Sequence, residues 1–462
     1  MSSTRAEPSV TAPGEAAARQ APLAILIPTY SRAGYLERLL RALAADPAIL
    51  AHRIPVLVAD NDSADQTVAT VRALIGEFPD LDLRLHQHPR NIGPEANMEW
   101  LVKHAPPADY VWLLGDDDMP TEGIVGDVLG VAQQSGPALI HLPCRWETED
   151  GTVTASSACP DTLETYLGSR ELLHTYYCLH FVSATVVKHL ALLEALDLAP
   201  TENDWAPHIW FGVAGRRGCC VVLPRVGVVG GLDSGWLSRR VTLLTRGIVE
   251  SFDDGFRLVV DHAGFARMLD LRFESAQGND ENWMQAPLED LLAAVTRFPA
   301  SRELRRLLVA RGMHEGNAAA IAVAADAARR SGAAERAAAH IAEGEAGYAR
   351  GDLGRAVAEL KSALAEDGTS ARAWCNLGVV HHAAGNEEAG DAFDGALSVD
   401  PENVDALLNR SVWLATCGRD ADAASDAERL AEIAPADPRL AQALAVIAML
   451  RGDPRLAQSV SE

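Results

Sequence analysis

The chain has 462 residues, of which 48% are hydrophobic and 23% charged, and its formal net charge is −24. These proportions indicate a soluble globular protein with two or three domains. The negative charge argues against nucleic acid or an anionic membrane as a partner, because both bind positively charged surfaces.

Residues 1–20 lack the apolar segment of a signal peptide, and no stretch of the sequence is long and apolar enough to span a membrane. We therefore expect a disordered N-terminal tail and no integral membrane segment. The expected location is cytoplasmic, with peripheral association at the inner membrane as an open alternative.

Four short apolar segments alternate with amphipathic ones over the first 120 residues. The predicted strands cover residues 21–30, 54–59, 81–86 and 110–114, and the predicted helices follow each of them, with Ser31 as a candidate cap of the first helix. This alternation predicts a mostly parallel sheet with helices on its faces, an α/β fold.

Polar residues follow three of these strands, in residues 29–32, 60–63 and 115–118. The carboxyl ends of parallel strands meet at one edge of a sheet, where open α/β sheets bind ligands. The last loop holds the consecutive aspartates Asp116, Asp117 and Asp118, which repel one another unless a cation or a substrate neutralises them. Oxygen ligands suit Mg²⁺ or Mn²⁺, which commonly bind one or two carboxylates together with substrate phosphates.

Four motifs in register carry a resemblance to a known family: IPTYSR at residues 27–32, ADNDSADQT at 59–67, RNIG at 90–93 and GDDD at 115–118. Together they resemble the family 2-type glycosyltransferases of the GT-A fold. The GDDD sequence and the Asn-Ile-Gly motif are most similar to those of the branch that contains abequosyltransferases.

The resemblance implies a nucleotide-sugar donor, a divalent metal (Mn²⁺ or Mg²⁺) and a set of contacting residues. The residues implied for the donor are Pro28, Thr29, Tyr30, Arg32, Asp60, Arg90, Asn91, Asp116 and Asp117. Asp116 and Asp118 match the DxD pattern and would hold the metal, with Asp118 the first choice. A solvated charge on a loop is the alternative interpretation of Arg32 and Arg90.

A second acidic segment, residues 201–205, precedes a predicted helix. The resemblance places a catalytic carboxylate at about this distance after the DxD motif in inverting enzymes. Asp204 is the candidate general base that deprotonates the acceptor, and Glu202 is the reserve. Capping of the helix is the alternative role for Asp204, and in a retaining enzyme neither carboxylate need be a base.

The sequence patterns in the middle of the chain indicate structure and function less specifically. A helical pattern with several aromatic residues covers residues 161–180, and residues 221–229 are apolar and rich in β-formers. The loop at 230–236 could close over a bound donor or simply connect two elements, and Arg239 and Arg240 could then reach the diphosphate. Residues 238–332 are largely helical, with a break near 277–283.

A repeat of 33 or 34 residues begins near residue 333 and is marked by Gly351, Gly385, Gly418 and Gly452. The segments WCNLG at 374–378 and ALSVDP at 396–401 resemble the tetratricopeptide repeat. The predicted units are 337–370, 371–403 and 404–437, followed by a truncated cap at 438–459. Their groove would bind a protein partner; packing or dimerisation is the alternative.

The sequence therefore predicts a disordered tail (1–20), a GT-A glycosyltransferase domain (21–240), a helical extension (241–332) and an all-α tetratricopeptide solenoid (333–462). The predicted function is metal-dependent transfer of a sugar from a nucleotide-sugar to a glycan or protein acceptor. The alternative is an inactive scaffold of transferase fold that acts through its repeats. A nucleotidyltransferase is disfavoured because the first loop lacks a glycine-rich, basic phosphate-binding sequence.

Overall fold

The computed structural model describes residues 20–148, 151–176, 181–199, 203–231, 240–274, 280–435 and 439. Contacts divide the chain into two compact units, Met1–Gly235 with Asp253–Val259 and Trp236–Phe252 with Val260–Glu462. The first unit is a mixed α/β sheet domain, and the region that follows is all-helical. The predicted fold class is therefore confirmed, whereas the predicted domain boundaries stay a prediction.

The first unit alternates strands and helices as expected over its first 115 residues and is less regular afterwards. Its strands are β1 (Ala21–Thr29), β2 (Val56–Asp60), β3 (Leu83–Gln87), β4 (Ala108–Leu113), β5 (Met119–Pro120), β6 (Leu139–His141), β7 (Cys144–Glu147), β8 (Val153–Ser156), β9 (Glu164–Tyr166), β10 (Thr185–Lys188), β11 (Cys220–Val222) and β12 (Val228–Gly230). Its helices are α1 (Ala33–Ala45), α2 (Pro47–His52), α3 (Thr67–Glu77), α4 (Pro94–Lys103), α5 (Ile124–Ser135), α6 (Ser169–Thr175), α7 (His189–Leu198) and α8 (Ala206–Ala214).

The main sheet has the strand order β3-β2-β1-β4-β10-β6-β11-β9. Strands β1, β2, β3 and β4 are parallel, and β10 runs antiparallel between β4 and β6. The central strand β1 is apolar because helices cover both of its faces, and residues 23–27 are fully buried. The loops after β1, β2 and β4 therefore leave the sheet at one edge, as predicted.

A smaller sheet has the order β5-β12-β7-β8. It pairs the segment just after the aspartates, in β5, with β12, which precedes Gly231. The chain thus returns to the aspartate turn more than 100 residues later, because β12 has its partners in this second sheet.

Two local expectations were wrong, and one strand was missed. Residues 164–166 form β9 rather than helix, because they pair with the apolar strand β11 and become the edge of the sheet. The helix predicted after the fourth strand begins only at Ile124, because Met119 and Pro120 pair with β12. Strand β10 was not predicted at all, although it completes the sheet beside β4.

The chain beyond residue 240 is helical in its described parts. The helices are α9 (Arg240–Thr242), α10 (Ile248–Asp254), α11 (His262–Glu274), α12 (Asp280–Gln285), α13 (Leu288–Arg297), α14 (Arg302–Glu315), α15 (Ala318–Arg330), α16 (Ala333–Ala349), α17 (Leu353–Glu366), α18 (Ala371–Ala383), α19 (Ala389–Val399), α20 (Val404–Thr416) and α21 (Asp420–Ile433). A π-helical turn, Leu243–Gly247, joins α9 to α10.

The pairs α16/α17, α18/α19 and α20/α21 are helical hairpins that coincide with the three predicted repeat units. The periodic glycines Gly351, Gly385 and Gly418 have φ values of 77°, 73° and 73°. Each follows the first helix of its hairpin in the left-handed conformation, which favours glycine and explains why glycine recurs at this period. The identity of the units as tetratricopeptide repeats stays a prediction, and nearly all of the expected cap at 438–459 lies outside the described residues.

Candidate functional site

The first two polar loops are fixed to each other by the sheet and by hydrogen bonds. Thr29 and Asp60 are partners in the parallel register of β1 and β2. Beyond them, the Asn61 N–H donates to the Thr29 carbonyl (2.9 Å) and the Ser31 N–H donates to Ser63 Oγ (2.7 Å). The two loops therefore form one rigid wall of the site.

The start of α1 is capped from the neighbouring loop. The Ala33 N–H donates to Asp65 Oδ2 (3.3 Å), and the Arg32 N–H donates to Thr67 Oγ1 (3.1 Å). The expected cap, Ser31, instead adopts a left-handed φ of 55°, so its side chain makes no cap bond to α1. A non-glycine residue at positive φ is strained, and Ser31 and Asp62 (φ 66°) place this strain in the two loops of the candidate site.

The aspartate turn is tied to the first loop. Thr29 Oγ1 donates to Asp116 Oδ2 (2.6 Å), and Arg32 Nη1 lies 2.6 Å from Asp117 Oδ2 and 3.6 Å from Asp116 Oδ1. The structure thus brings together Thr29, Arg32, Asp116 and Asp117 across the edge of the sheet. Arg32 supplies a local positive charge to two of the three carboxylates.

The third aspartate has a different set of partners. Asp118 is 5% exposed; its Oδ2 accepts a hydrogen bond from Ser183 Oγ (2.5 Å) and its Oδ1 accepts one from the Gly231 N–H (3.0 Å). Ser183 Oγ in turn accepts the Gly115 N–H (2.8 Å). Ser183 and Gly231 therefore hold Asp118 in a single orientation.

Close packing explains why residues 230 and 231 are glycines. A Cβ atom at Gly231 would lie 2.8 Å from the Asp117 carbonyl oxygen, and one at Gly230 would lie 2.6 Å from Trp146 Nε1. The backbone at Gly231 can approach the aspartate turn only because this residue has no side chain, and Gly230 likewise leaves room for the Trp146 ring.

Burial and mutual repulsion raise the pKa of two of the carboxyl groups. Burial is the main cause for both, the neighbouring aspartates add to it, and hydrogen bonds oppose it; together these effects raise the pKa of Asp116 to about 6 and the pKa of Asp118 to about 7. Both groups are harder to ionise than a solvated aspartate, and a bound cation would reverse this effect.

The donor set fits a hard divalent cation that shares its coordination with a substrate. It consists of oxygen atoms, and the described residues contain no group of three or more His, Cys, Asp or Glu arranged to hold a metal by themselves. Mg²⁺ and Mn²⁺ sites at phosphates commonly use one or two protein carboxylates, and Asp116 and Asp118 could supply these. Hydrogen-bonded carboxylate oxygens keep a further lone pair for a metal.

A second group of polar residues lies at the end of β2. Asp60 is fully buried; its Oδ2 accepts the Ser63 N–H (3.1 Å), while its Oδ1 has no hydrogen-bond donor among the described residues. A buried carboxylate oxygen without a donor is costly, and a ligand N–H would satisfy it.

Asn61 connects this group to the RNIG loop. Its Nδ2 donates to Asn91 Oδ1 (3.1 Å) and its Oδ1 accepts the Ile92 N–H (2.9 Å). Asn91 Oδ1 also accepts the Gly93 N–H (2.9 Å), so the Asn91 side chain orders its own loop. Of the other residues implied for the donor, Tyr30 and Arg90 are exposed and Pro28 is half-buried within β1.

Residues 24–186 match the family model described as Glycosyl transferase family 2. This segment is a family 2 glycosyl transferase domain. The match runs from β1 to β10 and includes the loops of the site described above, whereas Gly231 lies beyond it. It confirms the family resemblance, whereas the abequosyltransferase-like branch stays a prediction.

Solved structures with a similar fold are more distant. TarS 1-349 from S. aureus, in complex with UDP-GlcNAc, is 17% identical over 66% of this chain and 89% of that chain, with a TM-score of 0.49. The mannosyltransferase PcManGT from Pyrobaculum calidifontis, in complex with GDP-Man and Mn²⁺, is 17% identical over 68% and 81%, with a TM-score of 0.40.

The Arabidopsis OM64 TPR domain is 22% identical over 26% of this chain and 98% of that chain, with a TM-score of 0.24. Similarity at these TM-scores carries no activity or ligand over to this chain. A comparison with curated proteins returns no match.

The candidate general base of the transferase domain lies outside the three loops. Asp204 is half-buried just before α8, and the preceding Asn203 accepts the Trp205 N–H (2.7 Å). Glu202 and the segment 232–239, including Arg239, lie outside the described residues. The roles predicted for Asp204 and Glu202 therefore stay predictions.

Sequence reasoning missed three residues that organise the transferase domain: Ser183, Asn97 and His88. Buried Asn97 donates to the Ala59 carbonyl (3.0 Å) and bonds to His88 Nε2 (3.0 Å), which fixes α4 to the end of β2. Asn97 directly follows Ala96 after the RNIG motif, so its position was the available signal. Ser183 gave none, because only the pairing of β10 with β4 brings it to the aspartates.

Proposed function

We propose that the α/β domain is a metal-dependent glycosyltransferase that moves a sugar from a nucleotide-sugar donor to an acceptor hydroxyl. The observation that supports this proposal best is the convergence of the three loops. One wall offers the donor-free carboxylate oxygen of Asp60, and the other offers buried carboxylates whose pKa values are raised. A nucleotide base with an N–H group matches the first, and a metal–diphosphate matches the second.

The donor would lie along the edge of the sheet from Asp60 to the aspartates. Asp60 Oδ1 accepts from the base, the exposed ring of Tyr30 stacks on it, and Asn91 and Arg90 contact the nucleotide-sugar. Thr29 and Arg32 hold Asp116 and Asp117 in place, and Arg32 can exchange these carboxylates for the diphosphate because its guanidinium binds either group.

The metal would be held by Asp116 and Asp118, and when bound it stabilises the charge that develops on the leaving diphosphate. Ser183 and the Gly231 N–H keep the Asp118 carboxylate oriented for this role. Asp204 removes the proton from the attacking hydroxyl, with Glu202 as the reserve. The acceptor is a glycan or a protein.

A donor screen tests the proposal. Thermal unfolding of the full chain would be followed with individual nucleotide-sugars, with and without Mn²⁺. A true donor at a hundred times its Kd adds about 2.7 kcal/mol to the stability of the domain that binds it, a clear upward shift of Tm. Donor hydrolysis is then measured for the donors that bind.

Asp60→Asn tests the proposed contact between Asp60 and the base, because the asparagine amide places an N–H group against the N–H of the base. It should weaken donor binding at least tenfold, whereas Asp80→Asn, at an exposed turn, should leave it unchanged. If no nucleotide binds with Mn²⁺ and no donor is hydrolysed, the enzyme proposal is wrong and the inactive-scaffold alternative stands.

For the repeats, we propose that the face made by α16, α18 and α20 binds the acceptor or a partner protein. Polar contacts join the first helices of neighbouring hairpins: Glu345 accepts from Arg372 (2.9 and 2.8 Å) and from Asn376 (2.8 Å). Tyr348 is exposed beside them. Replacing Tyr348 and Arg372 by Ala should reduce transfer to the acceptor and spare donor hydrolysis; unchanged transfer would make the repeats a packing or dimerisation module.

A further inference from the structure

A second cleft lies at the far end of the main sheet from the aspartates. Lys188, on its wall, pairs in register with Tyr110 near the start of β4, whereas Asp116 follows the end of that strand. The strand from Tyr110 to Leu113 alone separates the two levels by about 10 Å, and Asp116 lies beyond its end. A ligand in this cleft is therefore separate from the proposed donor site.

The cleft has a volume of about 190 Å³ and lies between the end of α5, the helix α7 and the turn after α8. Alanines and glycines line much of it, so the space is left by small side chains. The larger side chains that face it are Lys188, Glu194, Leu198, Arg216 and Arg217. Three cations and one carboxylate give the lining a net charge of +2, in a chain whose net charge is −24.

The three cations are held differently. Lys188 Nζ donates one hydrogen bond to the Gly136 carbonyl (2.8 Å), which leaves two N–H groups of the ammonium for another partner. Arg217 Nη1 pairs with Glu194 Oε1 (3.1 Å) at the solvent-exposed rim. Half-buried Arg216 has no side-chain hydrogen bond or ion pair with any described residue.

Helix capping accounts for only part of this arrangement. Lys188 neutralises the carbonyl end of α5, a common role for a cation at a helix C-terminus. Arg216 follows α8 but donates to none of its described carbonyl groups, so a planar fork of N–H donors remains available on the wall of the cleft. Guanidinium and ammonium groups that converge on one small space are the usual partners of a phosphate group.

We propose that this cleft binds the phosphate group of a phosphomonoester, held by Arg216 and Lys188. Arg217 joins them when it leaves Glu194, because the carboxylate and the phosphate compete for the same guanidinium. Leu198 lines the cleft, and Leu190, two turns earlier on the same stripe of α7, is 78% exposed. These leucines offer contact to the organic part of the ligand.

The chain has only three lysines, Lys103, Lys188 and Lys361, so the proposal can be tested by lysine acetylation and mass spectrometry on the full-length protein. Glycerol phosphate is the probe, with sodium chloride at equal ionic strength as the reference. At the dissociation constant of the probe, the acetylation rate of Lys188 should fall about twofold, with a larger fall at saturation. The rates of Lys103 and Lys361 should not change.

Two variants move the result in opposite directions. Arg216→Gln should abolish the protection of Lys188, whereas Glu194→Gln should give protection at lower probe concentration, since it releases Arg217 and removes a negative charge. Arg72→Gln, at an exposed position of α3, is the matched control. Glu194→Gln keeps the test valid even if Arg216→Gln does not fold.

The phosphate group could belong to a soluble metabolite or to a lipid headgroup, and sedimentation with vesicles distinguishes the two. Phosphatidic acid in phosphatidylcholine vesicles should sediment the wild-type chain but not Arg216→Gln if the source is a lipid. Protection of Lys188 by glycerol phosphate without sedimentation assigns a soluble ligand. Equal protection of all three lysines, or neither protection nor sedimentation, would overturn the proposal.

Discussion

The α/β domain and the helical repeats hold their polar side chains together over very different separations along the chain. In the α/β domain, Thr29 reaches Asp116 across 87 residues and Gly231 reaches Asp118 across 113. In the repeats, Arg410 reaches Asp426 across 16 residues and Asn376 reaches Glu345 across 31.

This difference has consequences for what a substitution does. The candidate site exists only when the whole sheet is formed, because no two of its loops are neighbours in sequence. Each repeat contacts chiefly the next one, so its interactions are local and its stability is close to a sum over neighbours. Substitutions at the site should therefore act on activity, and substitutions in the repeats on local stability.

The largest expected effect is on activity, from Asp118→Asn. The amide keeps the shape of the side chain but removes the negative charge proposed to bind the metal, so Mn²⁺-dependent donor hydrolysis should fall at least about a hundredfold. Asp109→Asn, at the exposed start of β4, is the control and should keep full activity. Wild-type rates in Asp118→Asn would refute the metal role.

A smaller loss of activity is expected from Ser183→Ala. This variant removes the hydroxyl that orients Asp118, and loss of such a supporting hydrogen bond typically costs about 10- to 100-fold in metal affinity or activity. The apparent Kd for Mn²⁺ should rise while binding of the nucleotide in the absence of metal is preserved. Ser135→Ala, at the exposed end of α5, is the control for replacing a serine by alanine. If Ser183→Ala weakens nucleotide binding without metal as much as it weakens Mn²⁺ binding, the role of Ser183 is merely structural.

The separation of contacting residues along the chain also determines which parts of the fold and of the candidate site could be predicted from the sequence. The strands β1, β2, β3 and β4 and their order along the chain follow from alternating apolar segments, and the hairpins of the repeats follow from a period of about 34 residues. Both signals are local. Asp116, Asp117 and Asp118 were found because three adjacent carboxylates are unusual in any context.

The parts that could not be predicted depend on long-range pairing. Ser183 is a lone serine in an apolar segment, and only the antiparallel docking of β10 beside β4 places it against Asp118. Residues 164–166 have no strong strand pattern of their own, and β11 makes them a strand. The cap of α1 by Asp65 is likewise supplied from the loop after another strand.

A moderate effect on local stability is expected from Arg410→Met in the repeats. Arg410 makes two hydrogen bonds of 2.7 Å to buried Asp426, and the variant leaves that carboxylate without its cation. Because the arginine is partly exposed, we expect a loss of about 1–3 kcal/mol rather than the larger cost of a fully buried pair.

Hydrogen exchange of the full chain measures this loss. Protection should fall in peptides from α19, α20 and α21, and donor hydrolysis should stay at the wild-type level. The matched control is Arg355→Met, whose partner Glu343 is exposed and whose loss should cost less than about 1 kcal/mol. A uniform loss of protection that includes the α/β domain would contradict the local behaviour inferred for the repeats.

The last expected effect is a pH-dependent stability difference at the same aspartate that gives the largest activity effect. Folding raises the pKa of Asp118 from the ordinary value of an aspartate, 3.8, to about 7, so the native state binds more protons than the unfolded chain between these values. The stability associated with this group is thus fully present below pH 4 and is lost as the pH rises through 7.

With a chelator present, Asp118→Asn should become more stable than the wild type by at least about 1 kcal/mol at pH 8, and the difference should shrink toward pH 5. Chemical denaturation at several pH values measures it. A difference that does not vary with pH would mean that Asp118 is ionised in the metal-free protein throughout, and that Ser183 and the Gly231 N–H stabilise its charge more than burial and its neighbours oppose it.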